Sequence, residues 1–298
     1  MTDQSTTWLS YSQQKSMGSC GEQYRLERVL KVPSLPNFAM VGGSAFHAIT
    51  EFHDKKMLGV PTTDRDGDAL LDNFADAFEA ELASREEDTG YSREEFKATG
   101  RASKEWPDKK NIAWWLHNGP VFAAGWARWI EAMPLEIWIT PEGKPAIELE
   151  VVTVVGPNER TKGYIDRVLA EPGSNDPVYV VDLKTGDKES GSAQLGKYRE
   201  DIRAKFGLVV PKGFFWYAKE GQAGTTYNLN AYSARRDQWL YQQVGRRKRA
   251  GVFLPVIDRH CDWCGVRPYC IWQDGEKSGE IRPPWVPIDE WESGDISE

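Results

Sequence analysis

The sequence predicts an α/β protein, and three observations carry that expectation. Val178, Tyr179, Val180 and Val181 form a β-branched and aromatic run of the kind buried on both faces of a sheet. Gly163 to Leu169 reads as a second strand ahead of it, and the segment from Glu171 to Pro177 between them is dense in turn formers, so the two pair as an antiparallel hairpin. Helix-period apolar residues then recur over 67–132, over 191–206 and from Ala234 onward.

Taken in order, residues 8 to 30 read as a helix with Ser10 or Ser12 as its cap. A loop containing Pro33 and Pro36 leads to Gly42-Gly43-Ser44, which is expected to open a second helix. His47 and Glu51 lie four apart on it and share a face, while His53 is expected to be solvated. Residues 60–134 read as a helical insertion over a cleft, with Leu70, Leu71, Phe74, Phe78 and Leu82 in its first half and Trp114, Trp115, Phe122, Trp126 and Trp129 in its second. Those aromatics are expected in a core rather than on a base-stacking platform. The acidic run Asp64 to Asp68 lacks the closing Glu of a calcium loop and reads as a turn. Strands follow at 135–139 and 146–155, then at 213–218 and 225–230. The helix from Ala234 ends in Arg246, Arg247, Lys248 and Arg249, a candidate phosphate contact or equally a solvated helix end that complements the macrodipole.

Composition narrows the class. The chain has 298 residues, 40% of them hydrophobic, enough for one large core or two small domains. The start is polar and no apolar run approaches a membrane span, so neither signal peptide nor membrane segment is expected and the location reads as cytoplasmic. A net charge of −8 has the wrong sign for a protein that coats nucleic acid indiscriminately, although residues 1–288 sum to only −3. The rest of that charge sits in 283–298, an acidic segment expected to be disordered, whose Trp291 could meet a partner.

The chemistry concentrates on the hairpin. Alternation puts Asp182 and Lys184 on one face with Leu183 on the other. Tyr164, Asp166 and Val168 are expected on one face of the preceding strand, opposite Ile165, Arg167 and Leu169. Charged groups at the end of an apolar strand are unfavourable unless a metal or substrate uses them. Asp166 beside Asp182 would hold a hard cation, Mg²⁺ or Mn²⁺. Asp-x-Lys alone says little, since Asp54-x-Lys56 and Asp108-x-Lys110 also match; only Asp182-x-Lys184 follows an apolar strand with a carboxylate strand ahead of it. Gln194 and Tyr198, four apart on the next helix, share one face. The bland reading of Asp182 and Lys184 is a surface ion pair.

The order Gly163-Tyr-Ile-Asp166-Arg-Val, then Val181-Asp182-Leu-Lys184-Thr-Gly, then Gln194-x-x-x-Tyr198 resembles the PD-(D/E)XK nuclease superfamily in its RecB-like exonuclease branch. That resemblance implies a restriction-endonuclease-like core, a twisted mixed sheet flanked by helices. It implies that Asp166, Asp182, His47 and the backbone carbonyl of Leu183 bind Mg²⁺ or Mn²⁺, with Glu150 as a further carboxylate. Lys184 would orient or help deprotonate the attacking water, and Gln194 and Tyr198 would position the strand or the lysine.

Four cysteines remain, Cys20 and the triplet Cys261, Cys264 and Cys270. In a cytoplasmic protein they point to metal rather than a disulfide. Spacing alone leaves Zn²⁺ and an iron–sulfur cluster both open, with His260 available for a mixed site. The resemblance to iron–sulfur members of the branch, the AddB-type and CRISPR-associated exonucleases, implies a [4Fe–4S] cluster, although the proline usual after the first cysteine is Gly21 here. Such a cluster would clasp the ends of a single nuclease domain over 1–282. The function so implied is a metal-dependent exonuclease acting on single-stranded DNA or DNA ends in repair, recombination, phage DNA processing or CRISPR adaptation, with any helicase a separate partner. The rival reading is a non-catalytic or accessory end-binding subunit of a larger complex.

Overall fold

The computed structural model describes residues 6–58, 73–186, 189, 191–283 and 286. The expected turn at 64–68 and all of the acidic segment except Pro283 and Val286 lie outside the described residues. In chain order the elements are β1 (Thr7–Leu9), α1 (Tyr11–Ser19), α2 (Gly21–Tyr24), α3 (Phe38–Met57), α4 (Phe74–Thr89), α5 (Ile112–Ala132), β2 (Glu136–Ile137), β3 (Ile147–Val154), β4 (Glu159–Ala170), β5 (Pro177–Lys184), α6 (Ala193–Phe206), β6 (Lys212–Tyr217), β7 (Gln222–Ala223), β8 (Tyr227–Asn228) and α7 (Ala234–Arg249). They fall into two compact units, one of residues 1–11 and 36–245 and one of residues 12–35 and 246–298.

The first unit is built on one mixed sheet. Its backbone runs β1-β4-β5-β6-β7, with β2 and β3 also on β4 and β8 on β6. β4 and β5 form the expected antiparallel hairpin, while β6 runs parallel to β5 and β1 parallel to β4. Helices cover both faces. On one, α3, α4 and α5 bury Phe46, Phe78, Trp115 and Trp126 against Leu169, Val181, Leu183 and Trp216. On the other, α6 buries Leu195, Tyr198 and Ile202 against Ile165, Val168, Val180 and Phe215. Of the stretch expected as an insertion over the cleft, residues 60–72 with Leu70 and Leu71 lie outside the described residues, and 73–134 is a layer of the main core, split by the non-helical residues 90–111. The tryptophans do pack inside it.

Three local expectations are corrected. Residues 8–30 are not one helix, because Trp8 and Leu9 are strand residues whose Cα partners are Arg160 and Thr161. α3 begins at Asn37, whose side chain accepts from the Met40 N–H, so Gly42 and Gly43 lie inside the helix rather than before it. Gly42 earns its place through packing, since a Cβ there would sit 2.1 Å from the Trp115 ring. Alternation along β4 also breaks. Ile165 and Val168, three apart, share the α6-side core, while Leu169 lies in the other.

The second unit is small, with a core of Leu26, Val32, Val266 and Tyr269 and a buried Glu22–Arg25 ion pair of 2.7 Å. Gly21 explains the missing proline. Its N–H donates to the Leu254 carbonyl at 2.8 Å, and a Cβ would meet the Leu254 backbone at 2.6 Å.

Candidate active site

The carboxylate site forms where His47 of α3 meets Glu148, near the start of β3, and Asp166 of β4. The ligand atoms of His47, Glu148 and Asp166 all lie within 4.8 Å of one another. His47 Nδ1 is 3.2 Å from Glu148 and 3.7 Å from Asp166. The carboxylate beside His47 and Asp166 is thus that of Glu148, where the sequence pointed to Glu150. Glu148 adopts a left-handed backbone with φ of +45°, unusual for a side chain of its kind. Strain of this sort is held at sites where the surroundings over-determine it. Glu150 instead lies exposed, paired with Lys162 at 2.8 Å and accepting from the Tyr164 hydroxyl at 2.9 Å.

Electrostatics mark the site as unfinished. Burial and the negative charges of Asp182 and Glu148 push the Asp166 carboxyl up to about 7, against the opposing pull of His47. Burial disfavours the His47 imidazolium, but Asp166 and Glu148 outweigh it and raise its pKa to about 9. Protons gather here because positive charge is wanted, and a divalent cation satisfies the same demand. Two carboxylates and an imidazole suit Mn²⁺ or Mg²⁺.

Asp182 and Lys184 face α6, and their ion pair measures 2.7 Å. Gln194 Nε2 and the Tyr198 hydroxyl both donate to Asp182 Oδ1, at 2.5 and 2.9 Å, and Lys184 Nζ donates to Gln194 Oε1 at 3.0 Å. The four residues expected to act together do meet. Burial opposes the Lys184 charge, yet Asp182 beside it raises its pKa. Asp182 is not among the atoms that converge with His47; the link between the halves is the Leu183 N–H, which donates to Asp166 Oδ2 at 2.7 Å.

Three residues escaped the sequence. Glu148 shares a strand face with Glu150, and nothing in the pattern chooses between them. Arg167 is fully buried and binds Asp54 while its Nη1 reaches Glu148 at 3.3 Å. Asp54 in turn accepts from His53 at 2.8 Å and from the Trp126 indole. His53, expected in solvent, is buried and also 3.3 Å from Glu131. Glu51, on the expected His47 face, pairs instead with Lys55. Tyr11 is raised by burial and by Glu189, with Lys184 and Asp182 also acting on it.

In the second unit, Cys20, Cys261, Cys264 and Cys270 line one small hollow with Leu26 and Val266. Burial pushes the Cys264 thiol up to about 11 and raises Cys270 as well. No three of the four sulfurs lie within 4.8 Å of one another, wider than the ~3.8 Å that tetrahedral Zn–S bonds of 2.3 Å impose. His260 Nε2 contacts Gln23 at 2.9 Å. Arg246, Arg247, Lys248 and Arg249 form the last turn of α7, where cations complement the helix carbonyls. Among the described residues no helix is long and apolar enough to cross a membrane.

Comparison with known proteins agrees with this geometry. The chain is 28% identical to the Gene 69 protein of Mycobacterium phage D29, over 88% of this chain and 95% of that one. It is 27% identical to the Gene 69 protein of Mycobacterium phage L5, over 91% and 99%. Residues 8–271 match the PD-(D/E)XK nuclease superfamily, whose members are metal-dependent nucleases. With a match spanning most of its length around an acidic, cation-seeking site, the chain belongs to the PD-(D/E)XK nuclease superfamily.

Proposed function

We propose that the protein is a Mg²⁺- or Mn²⁺-dependent deoxyribonuclease of the RecB-like branch, working as an exonuclease on single-stranded DNA or DNA ends. The observation that carries this reading is the convergence of His47, Glu148 and Asp166 beside the Asp182–Lys184 pair. The cation held by the first three, with Asp182 across the strand, would supply Lewis-acid charge stabilisation at the phosphate. Lys184, kept cationic by Asp182, attracts and orients the scissile phosphate or the attacking water. Gln194 fixes the lysine and Asp182 relative to each other, and Tyr198, raised well above its ordinary pKa by burial, stays a neutral donor to Asp182. The same protein carries a [4Fe–4S] cluster on Cys20, Cys261, Cys264 and Cys270. A four-iron cluster binds each thiolate on a different iron and so suits sulfurs spread around a hollow better than one Zn²⁺ does. Its role is structural, tying residue 20 to residues 261–270 of the second unit. Because both relatives come from mycobacteriophages, phage DNA processing leads among the pathways, with a separate helicase or recombination protein as partner.

The test is cleavage by anaerobically purified protein of linear single-stranded DNA labelled separately at each end, with Mn²⁺ or Mg²⁺. Short products from one end, lost in Lys184→Ala, are expected. Absence of cleavage by protein that retains its visible cluster absorbance would favour the accessory end-binding reading. Loss of that absorbance in Cys264→Ser, with iron and sulfide in the wild type, is the parallel expectation for the cluster; zinc without iron would overturn it.

A further inference from the structure

The sheet of the first unit does not end at the carboxylates. Upstream of Asp166, β4 runs on through Tyr164, Lys162 and Arg160, all on one face and all exposed. Their cross-strand partners on β3 are Glu150, Val152 and Val154, also exposed, and beside Arg160 on β1 stands Trp8. The alternate residues Thr153, Thr161, Leu9 and Val151 are buried, so the sheet here is covered on one side and open on the other. Its open side is not an ordinary solvated face. Trp8 and Tyr164 are each 49% exposed and Val154 58%.

We propose that this open face, built from Trp8, Val152, Val154, Arg160, Lys162 and Tyr164, is the track along which a single DNA strand reaches the Asp166 site. The proposal rests on the nuclease reading above and adds the path and strandedness of its substrate. Continuity is the first argument: Tyr164 is two residues from Asp166 on the same strand and Arg160 six, a run of about 20 Å at the ordinary strand rise. The second is chemistry. Unpaired bases offer flat faces that stack on exposed rings, whereas a duplex hides them, and backbone phosphates want cations between the rings. Here Trp8 stands beside Arg160 and Tyr164 beside Lys162, so each exposed ring has a cation next to it. Lys162 lies over the Tyr164 ring, 5.5 Å from its centroid, and shares Glu150 with the Tyr164 hydroxyl. Lys205, whose ammonium donates to the Glu150 carbonyl at 3.2 Å, adds a further cation at this edge. Glu150 is thus surrounded by positive charge and tyrosine, and it holds Lys162 and Tyr164 in place on the face.

Binding of a fluorescein-labelled oligodeoxythymidine, followed by anisotropy in EDTA, tests the track without requiring cleavage. Trp8→Ala and Tyr164→Ala should each raise Kd by roughly tenfold, as loss of one base-stacking ring does elsewhere. Trp8→Phe and Tyr164→Phe should largely restore binding, and Arg160→Ala should lessen its salt dependence. The same oligonucleotide as a duplex should bind more weakly than the single strand. Unchanged Kd in both alanine variants, or tighter binding of the duplex, would overturn the track even if the wild type cleaves DNA. A wild type that binds in this pattern but never cleaves would instead sink the nuclease reading and leave the track standing.

Discussion

Two buried aspartates on neighbouring elements have opposite fates. Asp54 on α3 is opposed by burial, but Arg167 and His53 outweigh it and hold its carboxyl below the ordinary value. Asp166 on β4 is pushed up to about 7 by burial and by Asp182. Asp54 has its partners inside the protein, with Arg167, His53 and the Trp126 indole all bonded to it. Asp166 is faced by two more carboxylates, and its partners are one imidazole and one backbone N–H. The first cluster closes its own electrostatics and is a device of the fold. The second leaves negative charge unanswered, and a site that folding alone does not complete is one that a cation and a phosphodiester can complete. Arg167 joins them by touching Asp54 and Glu148 together, so the finished cluster aims the unfinished one.

The largest effect should separate the two in opposite assays. Asp166→Asn and Lys184→Ala should each lower DNA cleavage on the order of 10³-fold, as loss of a charge-stabilising group does at other phosphoryl and acyl sites. Circular dichroism and urea unfolding should be close to those of the wild type. Asp54→Leu should instead lower stability by about 3–5 kcal/mol in urea, because it strands the fully buried Arg167 without its main counter-charge. Equal instability in Asp166→Asn and Asp54→Leu would erase the distinction.

A narrower contrast lies on one strand. Glu148→Gln should weaken Mn²⁺ binding by roughly 10- to 100-fold, whereas Glu150→Gln, two residues away in solvent, should leave it nearly unchanged. The smallest effect concerns pH. An Asp166 carboxyl raised from 3.8 to about 7 favours the fold in its acid form, a contribution complete below about 4 and lost as pH rises to 7. The His47 imidazolium, raised from 6.5 to about 9, contributes fully below 6.5 and is lost by about 9. Tm in EDTA should therefore fall as pH climbs from 7 to 9, and the rise in Tm on adding Mn²⁺ should grow over that interval. A cation effect that shrinks with rising pH would place binding elsewhere.

Much of the site could be read from the chain because its parts are local. The hairpin, Asp182-x-Lys184 and the i, i+4 pair Gln194 and Tyr198 each declare themselves within a dozen residues. What escaped depends on long-range geometry. The strand at Trp8 exists only because β4, some 150 residues later, offers it an edge, and in isolation three residues after a polar start read equally well as a helix entry. Glu148 and Glu150 are indistinguishable by period two, and the +45° φ that accompanies the choice of Glu148 has no signature in sequence. Alternation puts Arg167 on the face of Ile165 and Leu169, but β4 breaks step between Ile165 and Val168. Asn37, a capping residue directly after Pro36, does carry a local signal for the true start of α3.

The most direct test of the central claim, that His47, Glu148 and Asp166 form an unfinished site completed by a divalent cation, is calorimetric titration of Mn²⁺ into chelator-stripped protein. Saturable binding to the wild type and to Glu150→Gln, and its marked weakening in Glu148→Gln and Asp166→Asn, is the predicted result. Indistinguishable binding in all four proteins would contradict the account.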